Sequence, residues 1–275
     1  MTAAQQRWRA LLSLRPLPDV LILGAMRSGT TFLHNALAAH PQIAAGDIKE
    51  LQFFSFRWSE GLEAYRRRLP LQWPDAVVAC TGLKRRLVID SSPYYLFHPL
   101  APQRAAQTLA PSAKMIVLLR EPGARAWSHY RWSLRQGREH LGFLTALAAE
   151  EERLAGEAER IAAGQQVTSA PHQRFSYVAR GRYAEQLERW WRYFPRERFL
   201  LLRSENLYAD PQTVFDGVCR FLHLRPMALP AALARNALPS LPLPERARDI
   251  LDRAFECPNQ RLRELTGISF CQTNA

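Results

Sequence analysis

The chain has 275 residues, 47% of them hydrophobic, enough to bury one large α/β core or at most two small ones, which excludes a chain too polar to fold. Its formal charge is +12, from 37 basic against 25 acidic residues, and apart from Lys49, Lys84 and Lys114 every basic residue is arginine. Such a field favours anionic ligands. The four cysteines, Cys80, Cys219, Cys257 and Cys271, form no CxxC pair, which argues against a structural zinc site and suits a reducing compartment. No zinc-finger, homeodomain-like or RRM signature accompanies the positive charge, so nucleic acid is not the expected partner.

Residues 1–18 read as an arm ending at Pro16 and Pro18, with residues 19–275 as a single domain. The arm has no apolar core of signal-peptide length, and nothing approaches the roughly 18 uninterrupted apolar residues of a membrane span. The expected location is therefore cytoplasmic. Val20 to Gly24 is a buried strand, and Gly24-Ala25-Met26-Arg27-Ser28-Gly29 a tight loop. Thr30-Thr31 opens an apolar-periodic helix with Phe32, Leu33, Ala36 and Leu37. Strand, glycine loop and helix N-terminus make an anion trap: freed amides converge, and the helix dipole favours negative charge. A nucleotide-triphosphate loop reads GxxxxGK[ST]. Here Thr30 stands where its lysine would be, and Arg27 is the loop's cation. A turn that merely packs helix on strand is the competing reading.

Further along, a strand-like piece surrounds Ile43, and Lys49-Glu50-Leu51-Gln52-Phe53-Phe54 sets a polar pair against aromatics. Residues 60–69 form a short helix. Leu87-Val88-Ile89 is a strand ending at Asp90, followed by Ser91-Ser92-Pro93 and the aromatics Tyr94, Tyr95 and Phe97. Lys114 to Leu119 is a second clear buried strand. Arg120 lies at its end, Pro122 opens the next helix, and Arg125, Ser128 and Tyr130 follow. Arg125 and Ser128, three apart, share a helical face and could meet a second anion together. Residues 141–163 read as one long, largely solvated helix and residues 164–176 as a mobile lid. Residues 181–193 are amphipathic, 199–202 a strand, 226–244 a surface crossover and 245–265 the last helix. Short strands alternating with helices predict an α/β fold with a central, mostly parallel sheet and ligands at the strands' carboxyl ends.

In this order the motifs resemble the PAPS-dependent sulfotransferases (PAPS is 3′-phosphoadenosine 5′-phosphosulfate). They are most similar to the branch of heparan sulfate N- and 3-O-sulfotransferases and their bacterial relatives. The likeness rests on Arg27–Thr31 and on Arg120-x-Pro122-x-x-Arg125-x-x-Ser128-x-Tyr130. It extends to Glu50–Phe54, Asp90–Tyr95, Gly181-x-Tyr183, Glu205 and Asp210-Pro211, and covers roughly residues 19 to 270. The resemblance implies a P-loop-like three-layer α/β/α fold and transfer of a sulfuryl group from PAPS to a hydroxyl or amine of a saccharide, lipid or other small molecule, releasing 3′,5′-ADP. It implies that Arg27, Ser28, Gly29, Thr30, Thr31 and Phe32 hold the 5′-phosphosulfate, with Arg120 and Ser128 on the 3′-phosphate. Glu50 aligns with the catalytic base, Asp90 is a second candidate, and Arg27 stabilises charge; no metal is called for. The glycan-modifying members carry lysine where Ser91 stands, which leaves Lys49 as the candidate second cation, and Arg235 as the counterpart of a C-terminal segment. His34, His98 and His129 read as structural. Trp58, Tyr65, Tyr94, Tyr95 and Phe97 could line an acceptor cleft or simply pack the core. A nucleotide-dependent kinase of P-loop type is the alternative. The acceptor and the oligomeric state are not readable from the residues.

Overall fold

Five short apolar runs become the strands β1 (Val20–Gly24), β2 (Ile43–Ala45), β3 (Leu87–Ser91), β4 (Lys114–Leu119) and β5 (Phe199–Arg203) of one sheet. The structure, a computed structural model, describes residues 14–72, 85–230, 233 and 242–270; Cys80, Lys84, Arg235, Cys271 and most of the N-terminal arm lie outside them. The strand order is β2-β3-β1-β4-β5, with every pairing parallel. The inner strands are buried on both faces, which is why they read as continuous apolar runs. In chain order the helices are α1 (Thr30–Ala38), α2 (Gly61–Arg68), α3 (Ala101–Thr108), α4 (Pro122–Arg135), α5 (Phe143–Ala148), α6 (Glu150–Leu154), α7 (Glu157–Ala162) and α8 (Ala170–Arg174). They continue with α9 (Tyr183–Trp191), α10 (Ser204–Ala209), α11 (Pro211–Leu222) and α12 (Glu245–Thr266).

The two-residue period of the strands sorts their side chains into two cores. Leu21, Leu23, Val88, Met115, Val117 and Leu119 face one, where Tyr65 of α2, Ala101 and Ala105 of α3, Leu187 and Trp190 of α9 and Leu262 of α12 cover them. Val20, Ile22, Ile89, Ile116 and Leu118 face the other, against Leu33, Ala36 and Leu37 of α1 and Phe215, Val218 and Leu222 of α11. The result is the three-layer, P-loop-like α/β/α arrangement. Since β3 and β4 flank β1 on opposite sides, the crevice for ligands lies at the carboxyl end of β1.

Two stretches differ from the sequence reading. Residues 141–163 are three short helices, broken at Ala149 and at Gly156, whose φ of 72° is left-handed. The segment is also not simply solvated, because Glu150 is 5% exposed and accepts hydrogen bonds from the Val178 and Ala179 amides at 2.7 and 2.8 Å. Part of the expected lid is likewise packed: α8 is capped by Ser169, which accepts from the His172 amide at 3.0 Å, and Ser169, His172 and Ser176 are buried.

Candidate active site

The loop after β1 is shaped by backbone conformations that side chains resist. Gly24 has φ +154°, and a Cβ there would lie 2.9 Å from Leu96 Cβ and 3.0 Å from the Pro93 carbonyl oxygen. Arg27 itself is left-handed at φ 69°, and Gly29, at φ 90°, begins α1 with no side-chain cap. The first-turn amides of α1 are therefore left to an incoming acceptor, where the helix dipole favours an anion. Ser28 departs from its expected role. Its amide donates to the Ala25 carbonyl at 3.2 Å, its carbonyl accepts from Ser204 Oγ at 2.7 Å, and the residue is fully buried, so it shapes the loop from beneath.

The end of β4 is built onto the same spot. Arg120 donates from Nη1 to the Arg27 carbonyl at 3.0 Å, and Arg27 donates from Nε to Ser128 Oγ at 3.2 Å. The two arginines and the serine thus form one cationic wall rather than two separate traps. Burial, followed by the charges of Arg135 and Arg120, lowers the Arg27 pKa. Glu121 caps α4 by accepting from the Gly123 and Ala124 amides at 2.7 and 2.5 Å, while its own amide donates to Glu205 at 2.8 Å. Tyr183 donates its hydroxyl to the Arg120 carbonyl at 2.8 Å, so α9 holds Arg120 in place. Arg125 does not join the wall. It is fully buried and turned inward to the Tyr177 carbonyl, although it is three residues from Ser128. Spacing on a helix fixes angular position but not the direction of a long side chain.

Glu50 lies across the cleft, at φ 62° and followed by Gln52 at φ 57°, both unusual for residues with side chains. One carboxylate oxygen accepts from Lys49 Nζ at 3.2 Å and the other from Gln52 Nε2 at 3.4 Å, while Lys49 also donates to Thr31 Oγ1 at 2.7 Å. Asp90, the second candidate base, sits below this level. It is 1% exposed and accepts from Ser92 Oγ at 2.7 Å, Tyr65 at 2.8 Å and Tyr95 at 2.9 Å. Burial raises its pKa against those three hydrogen bonds. The same Ser92 Oγ accepts from the Gln52 amide at 3.1 Å. Asp90 is thus linked to Gln52, and through it to Glu50, and it does not line the cleft. Ser91 is turned away, bonded to His34 Nδ1 at 2.8 Å.

These elements enclose a cleft of about 1500 Å³ whose lining includes Arg27, Gly29, Thr30, Thr31, Phe32, Glu50, Arg120 and Ser128. Of the five aromatics proposed for an acceptor wall, only Tyr94 lines it; Tyr65 and Tyr95 are fully buried, and Trp58 packs on the core. His98 and His129 are buried. Desolvation, first, and nearby arginines push the His98 pKa down to about 2.

Residues missed in the sequence complete the cleft. Arg131, Arg135 and Arg138, on and just beyond α4, line it together with Arg174 and Arg180. Arg180 is 4% exposed, stacks over Tyr94 at 4.8 Å, and donates to the Gln173 carbonyl at 2.8 Å and Met26 Sδ at 3.0 Å. Burial brings its pKa down to about 10. The signal for it was one residue away, at Gly181-x-Tyr183.

Residues 17–235 match the family described as the sulfotransferase domain. Human heparan sulfate glucosamine 3-O-sulfotransferase 6 is 30% identical over 234 residues, covering 85% of this chain and 60% of that protein. Human bifunctional heparan sulfate N-deacetylase/N-sulfotransferase 3 is 30% identical over 218 residues, 76% of this chain and 23% of that protein. The chain therefore spans less than two thirds of the length of either relative. Among solved structures, a sulfotransferase from Alicyclobacillus acidocaldarius superposes with a TM-score of 0.69 at 29% identity, covering 93% of this chain and 98% of that one. With well over half of its length inside the domain match, the chain belongs to the sulfotransferase family.

Proposed function

We propose that the protein transfers the sulfuryl group of PAPS to a hydroxyl or amine of a small-molecule or glycan acceptor. The observation that carries this reading is the single wall of Arg27, Arg120 and Ser128 beside an uncapped helix N-terminus. It offers charge and donors to a ligand bearing anions at two points, and it lacks the lysine of a nucleotide-triphosphate loop. Arg27, Thr30 and Thr31 would hold the 5′-phosphosulfate, and Arg120 with Ser128 the 3′-phosphate. In the transfer the acceptor oxygen or nitrogen bonds to sulfur as the bond from sulfur to the 5′-phosphate oxygen breaks. The electron pair leaves on that oxygen, completing 3′,5′-ADP, and the acceptor proton passes to Glu50. Catalysis in such a displacement is mainly alignment and neutralisation of charge on the leaving oxygen. Arg27 supplies the second and the Glu50–Gln52 pair the first.

Calorimetric titration with 3′,5′-ADP, ATP–Mg and 5′-AMP tests the reading. Tight binding of 3′,5′-ADP without metal is expected, weakened roughly tenfold in Ser128→Ala by loss of one charge-assisted hydrogen bond. Equal or tighter binding of ATP–Mg would overturn it in favour of the kinase.

A further inference from the structure

Tyr208 brings a polar group into the cleft that none of the roles assigned above uses. It stands on α10, the short helix that follows β5, is 39% exposed and lines the cleft. Gly29 is what lets it approach. A Cβ at Gly29 would lie 3.2 Å from the Tyr208 hydroxyl oxygen, 3.7 Å from its Cζ and 3.1 Å from Leu207 Cδ2. The phenol therefore lies against the residue that begins α1, whose N-terminus has no side-chain cap. Among the described residues the hydroxyl has no hydrogen-bond partner. Packing alone does not account for it, because the adjacent Leu207, 1% exposed, already fills the core position beneath the loop.

The order of the strands decides which part of a donor this hydroxyl meets. The order β2-β3-β1-β4-β5 places the loop after β1 between two flanks. Glu50 comes from the β2–β3 flank, with its amide donating to the Ser91 carbonyl at 3.2 Å. Tyr208 comes from the β5 flank, where Ser204 Oγ ties α10 to the loop by donating to the Ser28 carbonyl at 2.7 Å. Its nearness to the loop's cation shows in the ionisation of Arg27: burial, Arg135 and Arg120 lower that pKa, and Tyr208 opposes them. In an in-line displacement the attacking and leaving oxygens lie on opposite sides of the atom transferred. If the acceptor's proton goes to Glu50 on one flank, the leaving oxygen faces the other.

We propose that Tyr208 is a donor-binding residue whose hydroxyl donates a hydrogen bond to the 5′-phosphate, the leaving group of the transfer. The inference rests on the PAPS reading above. A phenol is a neutral donor, and hydrogen bonds to an ionised acceptor are the stronger kind. As the bond from sulfur to the 5′-phosphate oxygen breaks, its electron pair stays on that oxygen and the hydrogen bond tightens. Tyr208 keeps its proton throughout and forms no covalent bond.

The test compares 3′,5′-ADP, which carries the phosphate as it stands after sulfur has left, with adenosine 3′-phosphate, which lacks only that group. Both are titrated calorimetrically into the wild type and Tyr208→Phe, with thermal unfolding as the check on folding. Phenylalanine keeps the ring against Gly29 and removes only the hydroxyl. Affinity for 3′,5′-ADP should fall roughly tenfold, as loss of a hydrogen bond to a charged group implies. Affinity for adenosine 3′-phosphate should stay within about twofold. An unchanged affinity for 3′,5′-ADP, or equal losses for both ligands, would overturn the role of Tyr208 while leaving the donor site standing. A folded wild type that binds neither ligand would remove the donor reading, and the role of Tyr208 with it.

Discussion

Both carboxylate oxygens of Glu50 are held from the protein side, one by Gln52 and one by Lys49. For the proposed role of Glu50 as base, these two bonds would orient the carboxylate before an acceptor arrives. Glu50→Gln keeps the size and most of the contacts but cannot take the proton. The expected outcome is a loss of transfer rate of about 10²–10⁴-fold, with 3′,5′-ADP affinity unchanged by calorimetry; a rate within a few-fold of wild type would assign the proton to another group. Sequence order was enough to draw attention to Arg27 and Arg120, at a loop and a strand end whose place in an α/β sheet is predictable, and to Ser128 within α4 beyond Pro122; Glu50 was reached through the family resemblance. It was not enough for Arg125, Asp90 or Ser28, whose side chains turn away from the cleft. Direction depends on which neighbours offer a carbonyl or a hydroxyl, and those neighbours lie many residues distant. The left-handed backbone at Glu50 and Gln52 was equally hidden, since neither residue type announces a positive φ.

At the level of elements, the strands were legible because burial on both faces leaves an uninterrupted apolar run, and α4 because Pro122 marks its first turn. The stretch from 141 to 163 was misread for the opposite reason: Ala, Glu and Arg have helix propensity wherever they stand. Propensity did not disclose that Glu150 would turn inward or that Gly156 would break the run. Gly181 marks another junction that the sequence does not explain. A Cβ there would lie 2.5 Å from Phe255 Cε1 of α12 and 3.0 Å from Pro122 Cβ of α4. Phe255 is 2% exposed, so its ring has nowhere to retreat. Gly181→Ala should cost about 1–3 kcal/mol in urea unfolding through overpacking. It should also shift Arg180 beside it, weakening whatever the cleft binds. A variant as stable as wild type would show that α12 can slide.

At the scale of the molecule, Glu139 ties the chain beyond α4 to α6 and to Tyr177. It accepts from Arg153 at 2.7 Å, from Tyr177 at 2.9 Å and from the His140 and Leu141 amides at 2.9 and 3.0 Å. Burial alone would push its carboxyl up, but Arg153, the Leu141 amide, Tyr177 and the His140 amide together outweigh it and hold the pKa at about 2. The folded value lies below the ordinary 4.5, so the stabilisation is complete above that pH and drains away as pH falls toward 2. Glu139→Gln is expected to be about 2–4 kcal/mol less stable than wild type at pH 7, with the gap narrowing at pH 3. Denaturant unfolding at the two pH values measures this, and an equal gap at both would mean that the network is not governed by charge.

Glu150 grips its partners differently from Glu139: both of its acceptor bonds are to main-chain amides, at Val178 and Ala179, immediately before Arg180. A main-chain amide is supplied by every residue type but proline. Any residue but proline at 178 or 179 would still offer its amide to this joint, whereas loss of the Glu150 carboxylate removes the acceptor that anchors the segment leading into Arg180.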